Sequence, residues 1–217
     1  MVPLGTASAL GPVSQNRVLS TMRGNEVVSD STNALALEVA ALRHEGVTGD
    51  LHLAASHRQL RAQPFPPGWS AHFRLFTLVS SGRDTGSGRT EAALLVRHLR
   101  YWAAVLTAFD LPSPSIELTA YGDDAVGERM SDTVVPGLRG CGVPVVDNPG
   151  RQRARGYYAG AMLRISLADG TEEIGDGGLT TWTAQLTGNA KERCLVSCLS
   201  TERLAVSRSA AAGRTSP

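Results

Sequence analysis

The sequence predicts an α+β fold, a mixed, mainly antiparallel sheet with flanking helices. Three observations carry that prediction. The run Ala161–Met162–Leu163–Arg164–Ile165–Ser166–Leu167 alternates with the period of a strand that buries one face. Thr90 to Phe109 repeats its apolar residues at helical spacing instead. There Leu94, Leu95, Leu99, Trp102, Val105, Leu106 and Phe109 form one stripe, with Arg97, His98 and Arg100 largely off it. Strands also adjoin through turns as well as through helices, and the helices cluster mid-chain, unlike the regular alternation of a parallel sheet.

Taken in order, residues 1–16 and 209–217 are rich in Gly, Pro, Ser and Ala without periodicity. They are expected to be flexible ends around one core domain at 17–208. Asn33 to Arg43 sets Leu35, Val39 and Leu42 on one helical face, with Ser31 or Thr32 placed to cap its first turn. Gly46 and Gly49 break that helix, Leu51 to Ala55 reads as a short strand, and three prolines make Gln63 to Gly68 a loop. His72 to Ser80 alternates as a strand. Beyond the long helix come a strand at Ile116 to Tyr121, a helix from Asp123 to Leu138 interrupted near Pro136, and a short β-branched strand at Val143 to Val146. Three further strands are expected, from Tyr157, near Thr181, and from Cys194. On the first, Tyr157 and Tyr158 would point to opposite faces.

Composition narrows the function classes. A chain of 217 residues, 42% hydrophobic, can pack one domain. Its 21 Lys and Arg against 20 Asp and Glu leave a formal charge of +1, and aromatics are only 5%. Neither a broad positive field nor a stacking surface is expected, so tRNA is not a predicted partner. No apolar run of about 18 residues occurs, so neither a spanning helix nor a membrane partner is predicted. Met1 to Val13 has no charged start and contains two prolines and two glycines, a poor leader peptide. Three cysteines form no disulfide framework, which implies reduced thiols and a cytoplasmic location. Cys194 and Cys198 share a face of a predicted strand without a Cys or His partner at ligand spacing. Core thiols are favoured over zinc, and no metal site is predicted.

Several short segments carry residue types suited to chemistry. In chain order they are Val28–Ser29–Asp30–Ser31–Thr32, Arg61–Ala62–Gln63–Pro64, Phe73–Arg74–Leu75–Phe76, Arg153 through Tyr157–Tyr158 to Gly160, Gly177–Gly178, and Ser200–Thr201–Glu202–Arg203–Leu204. An arginine at the end of a buried strand is costly to desolvate without an anion beside it, so Arg203 hints at a phosphate or carboxylate pocket. This ordered set, over about residues 28 to 205, resembles the catalytic core of histidyl-tRNA synthetase, a class II aminoacyl-tRNA synthetase, and of its non-aminoacylating paralogues.

The resemblance implies a role for each matched residue. Asp30 and Thr32 would hold the amino group of an amino acid. Arg61 would be the arginine of the second class II motif, with Gln63 and Phe76 on the nucleotide side. Arg153 would be the catalytic arginine, with Arg155 able to exchange roles with it, and Tyr157 and Tyr158 the amino-acid-recognising pair. Gly177 and Gly178 match the family's Gly-Gly-Arg-Tyr-Asp turn, although Leu179, Thr180 and Thr181 follow. Arg203 would contact the ATP phosphates. Together Arg61, Arg153 and Arg203 would form the catalytic anion-binding triad. ATP with Mg2+ is the implied cofactor, and an amino acid or nucleotide the implied small-molecule partner.

Departures are equally specific. The family's return strand carries a Gln two residues, and a Glu six residues, after the Phe matched by Phe76; this chain has Leu78 and Gly82 there. Gln63 replaces an adenine-side Glu. No segment like the first class II motif precedes Asp30, and no anticodon-binding domain follows Leu204.

Each candidate also has a plainer reading. Asp30 and Thr32 suit a helix cap, and the arginines suit a solvated surface. The stretch from Gly82 to Thr90 enters the long helix as a phosphate-binding loop does, yet it puts Arg89 at the Walker lysine and Arg83 where the loop's first glycine belongs. A connector is the alternative. Three functions stay open. The preferred one is a reduced paralogue, similar to the regulatory subunit of ATP phosphoribosyltransferase, that binds an amino acid or nucleotide beside a protein partner without charging tRNA. A site built on hydrogen bonds loses orders of magnitude when its polar partners are deleted. The others are an ATP-dependent, adenylate-forming ligase acting on a small acceptor or carrier protein, and an unrelated α+β binding scaffold.

Overall fold

The computed structural model describes residues 1–11, 13–67, 69–168 and 170–214. In chain order its elements are β1 (Val2–Pro3), α1 (Thr6–Leu10), β2 (Asn25–Glu26), α2 (Ser31–His44), β3 (Leu51–Leu60), β4 (His72–Arg83), α3 (Arg89–Ala108), β5 (Ser115–Ala120), α4 (Asp124–Arg129), α5 (Val135–Gly137), β6 (Val145–Asp147), β7 (Ala161–Leu167), β8 (Glu172–Thr180), α6 (Trp182–Thr187), β9 (Glu192–Ser200) and α7 (Thr201–Arg214). Seven strands form one sheet in the order β3-β4-β9-β8-β7-β5-β6. Every neighbouring pair is antiparallel except β5 with β6. The mixed, mainly antiparallel sheet that the sequence predicts is therefore present.

Alternation along β9 divides the core in two. Leu195 and Leu199 face α3 and pack with Leu94, Leu95, Leu99, Trp102 and Leu106. Cys194 and Val196 face the other way and pack with Ala36 and Val39 of α2 and Trp182 of α6. A two-residue period turns successive side chains to opposite faces, so one strand serves both helix layers. The stripe of α3 lies over the first face, as its spacing requires.

Helix ends follow local chemistry. Asp30 caps α2 by accepting from Thr32 N at 2.9 Å, and Asp123 caps α4 by accepting from Val126 N at 3.2 Å. Gly88 precedes α3 at φ 66°, and a Cβ there would lie 2.9 Å from Ala125 O, so α4 can approach only a glycine. The stretch from Gly82 to Thr90 spends its amides internally: Thr85 N donates to Thr90 Oγ1 at 3.0 Å, and Gly86 N to Asp84 Oδ1 at 2.7 Å. It is a self-bonded connector rather than a phosphate cradle.

Several expectations are corrected. The first residues are not a loose end: β1 pairs with β2, and the fully buried Glu26 accepts from Gly5 N at 2.8 Å and Ala7 N at 3.0 Å. A carboxylate at a helix start satisfies amides that composition alone cannot show to be paired. At the other end α7 runs through residues expected to be tail, and 215–217 lie outside the described residues, as does Gly68 of the proline loop. Tyr157 and Tyr158 precede β7 instead of sitting on it, and Gly177 and Gly178 lie inside β8, where a turn was expected. Residues 182–187 are a helix, not a strand. The interruption after α4 is a π segment at Met130–Val134. It ends before Pro136, which sits in the first turn of α5, where a missing N–H costs nothing. Among the described residues no helix is long and apolar enough to cross a membrane.

Candidate functional site

Strand register lays out the site. On the face beneath α2, Thr77 of β4 lies beside Cys198 of β9, Cys198 beside Asp176 of β8, Asp176 beside Arg164 of β7, and Arg164 beside Glu117 of β5. This polar row crosses the sheet between apolar rows. At its far side Arg164 is fixed, donating to Glu117 Oε1 at 2.6 Å and to Glu173 Oε2 at 3.1 Å. The Asn148 amide also donates to Glu117, at 2.8 Å. Burial is the largest single effect and pushes the Glu117 carboxyl up, but these bonds and the charges of Arg164 and Arg151 together outweigh it and hold the group below its ordinary pKa.

The N-terminus of α2 is locked above this row. Ser31 Oγ lies 2.5 Å from Thr77 Oγ1. Assigned by its partners, the buried Gln59 amide donates to Ser29 O at 3.0 Å and accepts from Ser31 N at 3.2 Å. Asp30 then has fixed duties. Oδ1 accepts from Thr32 N and, at 2.7 Å, from Thr32 Oγ1, while Oδ2 pairs with Arg61 Nη2 at 3.4 Å. Arg61 Nε donates to Ser29 O at 2.8 Å, and its guanidinium lies 5.1 Å from the centre of the Phe73 ring.

Asp176 and Cys198 form the floor. Both keep some exposed surface yet are hemmed in by protein, as at the bottom of a deep cleft. The only side-chain hydrogen bond to Asp176 among the described residues comes from Cys198 Sγ at 3.5 Å, a weak donor. Burial, and then the Glu173 charge, push the Asp176 carboxyl above its ordinary pKa. Burial, and then the Asp176 charge, raise the Cys198 thiol well above its own. Tyr157 and Tyr158 close one side, their rings edge to face at 5.0 Å, with Tyr157 edge to face on Trp182 at 5.6 Å. Burial raises both phenols, so neither ionises near neutrality. The two rings pack together, not on opposite faces. The glycine pair makes room for this arrangement, because a Cβ on Gly178 would lie 2.7 Å from Ala161 O and collide with the Tyr158 ring.

The three predicted arginines lie around this floor, each already occupied. Arg153, its side chain 75% exposed, is 3.5 Å from Glu173 Oε2. Arg203, in the first turn of α7, donates from Nη1 to Glu173 O at 2.5 Å and stacks 4.0 Å from the centre of the Trp69 ring. Arg153 and Arg203 thus meet at Glu173, and Arg61 meets Asp30. Both carboxylates act on Asp176. Gln63 lies in the loop between β3 and β4 and makes no side-chain hydrogen bond among the described residues.

A fourth arginine was missed. Arg151 is 9% exposed, and its Nη1 and Nη2 are buried without a partner among the described residues. Its Nε donates to Arg153 O at 3.4 Å, and its charge reaches both Asp176 and Glu117. Arg155 holds the segment from outside, donating to Arg151 O at 2.7 Å and Pro149 O at 2.8 Å. An Arg-x-Arg-x-Arg segment was visible in the sequence, but which guanidinium turns inward depends on the loop.

Comparison with known proteins found no matching family model and no matching curated protein. Solved structures do match. Histidyl-tRNA synthetase of Staphylococcus aureus is similar at TM-score 0.68 and 17% identity, over 88% of this chain and 54% of that one. A Bacillus halodurans protein, titled an ATP phosphoribosyltransferase regulatory subunit/histidyl-tRNA synthetase, is similar at TM-score 0.73 and 11% identity, over 92% and 70%. Histidyl-tRNA synthetase from Nostoc is similar at TM-score 0.59 and 15% identity, over 90% and 61%. This is the class II aminoacyl-tRNA synthetase fold. The chain spans about half the length of the Staphylococcus enzyme.

Within that fold the register of β4 needs correction. Phe76 faces α3, stacked on Tyr101 at 5.8 Å and edge to face with Trp102 at 6.1 Å, so it cannot line the cleft. Leu78 faces the same core, and Gly82 faces Asp50 and Thr90. The ring under Arg61 is Phe73. Two and six residues after Phe73 come Leu75 and Val79, both buried and both on the cleft face. The Gln and Glu of the synthetase pattern are absent in this register as well.

Proposed function

We propose that this chain is a reduced paralogue of the histidyl-tRNA synthetase core that binds an amino acid or a closely related zwitterion in a regulatory role, beside a protein partner in the cytoplasm, without charging tRNA. One observation carries the reading. Asp176 and the buried Arg151 carry opposite, poorly satisfied charges within electrostatic reach of each other, while the cleft face of β4 offers only Leu75 and Val79 where a histidine-activating site has Gln and Glu. A buried carboxylate and a buried guanidinium each gain most from a ligand group of opposite charge. An ammonium against Asp176 and a carboxylate against Arg151 supply both. The missing polar pair removes the means to hold an imidazole, which points away from histidine and towards a less polar side chain. The Bacillus halodurans neighbour, named in part as a regulatory subunit, is consistent with this role.

ATP with Mg2+ fits these residues poorly. Arg61 and Arg203 are bonded to protein carbonyls, and Asp30 and Glu173 put negative charge beside them where phosphates would lie. The adenylate-forming ligase keeps one supporting observation. Arg61 and Arg203 flank the same loop, Arg61 N donating to Ala71 O and Arg203 stacking on Trp69, so a rearranged loop would bring both to one phosphate chain.

Calorimetric titration with the twenty amino acids tests the reading. Saturable binding of one or a few is expected, weakened roughly tenfold or more by Arg151→Gln or Asp176→Asn. Binding of none, or binding indifferent to both substitutions, overturns it.

A further inference from the structure

A second cavity, of about 600 Å3, lies at the end of the sheet opposite the loop between β3 and β4, where β8 gives way to α6 and β9 begins. Its size is that of a small-molecule site. It wraps the end of the sheet, taking Glu91 and Val126 from the α3 side and Thr180 and Cys194 from the α6 side. None of its lining residues belongs to the cleft above Asp176.

The charges in its wall are unbalanced. Glu91, Asp123 and Glu192 line it with one guanidinium, that of Arg193; Glu192 is already paired behind the wall, accepting from Arg43 Nε at 3.3 Å and from Ser81 Oγ at 2.7 Å. Arg193 is fully used, donating to Glu91 Oε1 at 2.6 Å, Asp84 Oδ2 at 2.8 Å and Ala190 O at 2.8 Å. Glu91 is not. Its Oε2 is buried with no partner among the described residues, in a residue only 8% exposed. Thr180 Oγ1 is likewise buried without a well-formed hydrogen bond, beside the Cys194 thiol, a weak partner. A carboxylate oxygen only accepts hydrogen bonds, so what completes this wall is a donor, and the excess of carboxylates asks for a cationic one.

We infer that this cavity is a second ligand site, taking a small organic cation with an amino or amidino head and an apolar stem. The head meets Glu91 Oε2 and the Thr180 hydroxyl, and the stem lies along Val126, Leu179 and Ala184. A hard divalent ion is a poor fit, because no three metal-ligating side chains converge among the described residues. An anion would face the carboxylates of Glu91 and Asp123 with no free guanidinium among the lining residues to receive it.

Titration with benzamidinium and n-butylammonium chloride, and with sodium butyrate as the anionic counterpart, tests the assignment. At least one cation should bind saturably at millimolar concentration. That binding should weaken roughly tenfold or more in Glu91→Gln, which keeps an acceptor for Arg193, and should be unchanged in Asp176→Asn. Butyrate should not bind there. Thr180→Val removes only an unsatisfied hydroxyl, so it should fold and weaken binding even if Glu91→Gln does not fold. Absence of saturable cation binding, indifference to both Glu91→Gln and Thr180→Val, or loss through Asp176→Asn overturns the inference. The last outcome places the cation in the upper cleft and leaves the amino-acid reading standing.

Discussion

Cys198 Sγ and Asp176 Oδ1 lie 3.5 Å apart across paired positions of β9 and β8, so the deepest carboxylate of the cleft has a thiol for its hydrogen-bonding neighbour. The fold leaves Asp176 poorly solvated, with that thiol as its one side-chain hydrogen-bond partner among the described residues.

The Asp176 carboxyl titrates above its ordinary value of 3.8, first through burial and then through the Glu173 charge. Between its unfolded and folded pKa the native state holds more protons than the unfolded one, so stability falls as pH rises through that window. Above the folded pKa the full penalty is present. Asp176→Asn should therefore raise stability at neutral pH by roughly 1–2 kcal/mol while abolishing amino-acid binding. The stabilisation should vanish at pH values below 3.8. Urea unfolding of both proteins across pH measures this. Equal stability at every pH would contradict it.

Gly177→Ala should be among the most damaging single-methyl additions. Its Cβ would lie 2.5 Å from both Val196 O and Ser197 Cβ, atoms of the adjoining strand that cannot move without breaking the β8–β9 ladder. A loss of about 2–3 kcal/mol is expected, together with weaker ligand binding through displacement of Asp176. Thermal unfolding and calorimetry on the same sample read both effects.

His98 gives a second pH-dependent feature, on the far face of the sheet. Trp102 Nε1 donates to Ser197 Oγ at 2.8 Å, Ser197 Oγ is 2.8 Å from His98 Nδ1, His98 Nε2 is 2.8 Å from Ser80 Oγ, and Ser80 Oγ is 2.8 Å from His52 Nδ1. Because an indole nitrogen only donates, every hydroxyl finds an acceptor if Ser197 donates to a neutral His98, His98 Nε2–H to Ser80, and Ser80 to His52. Burial, and then the charges of His52 and Arg97, depress the His98 pKa from 6.5 to about 3. A depressed histidine contributes stability that is complete above pH 6.5 and is lost as pH falls towards 3. Relative to His98→Gln, the wild type should lose on the order of 5 kcal/mol across that window, at about 1.4 kcal/mol per pKa unit. Parallel pH profiles of the two proteins would contradict the assignment.

Much of the fold was legible because it rests on local periodicity. The stripe from Leu94 to Phe109 and the alternation from Ala161 to Leu167 each carry their own evidence. The cap of α2 was legible only as a choice: Ser31 or Thr32 was expected to cap the first turn, with Asp30 a further candidate, and it is Asp30 that accepts from Thr32 N. Phe76 was misplaced because β4 alternates with apolar residues on both faces, so the sequence offers no sign of which ring meets Arg61. Asp176, Cys198 and Arg151 were missed for a different reason. Their juxtaposition is created by the register of β8 with β9 and by the loop before β7, both long-range facts. Glu26 is the same kind of case, since nothing near it in the chain announces that it will cap α1.

Glu26→Ala should release the N-terminal segment without unfolding the sheet. Two amides lose their acceptor and α1 its anion, a cost of about 1–2 kcal/mol confined to residues near 1–11. Hydrogen exchange should show fast amides at Gly5 and Ala7 with β8 and β9 unchanged. Global loss of protection would instead make the segment part of the core.

The central claim, that this synthetase fold binds an amino acid without activating it, is tested most directly by amino-acid-dependent exchange of pyrophosphate into ATP across the twenty amino acids. The expected result is no exchange above background with any of them, including those that calorimetry shows to bind. Robust exchange with even one, lost in Arg61→Ala and Arg203→Ala, would contradict the account and establish the ligase in its place.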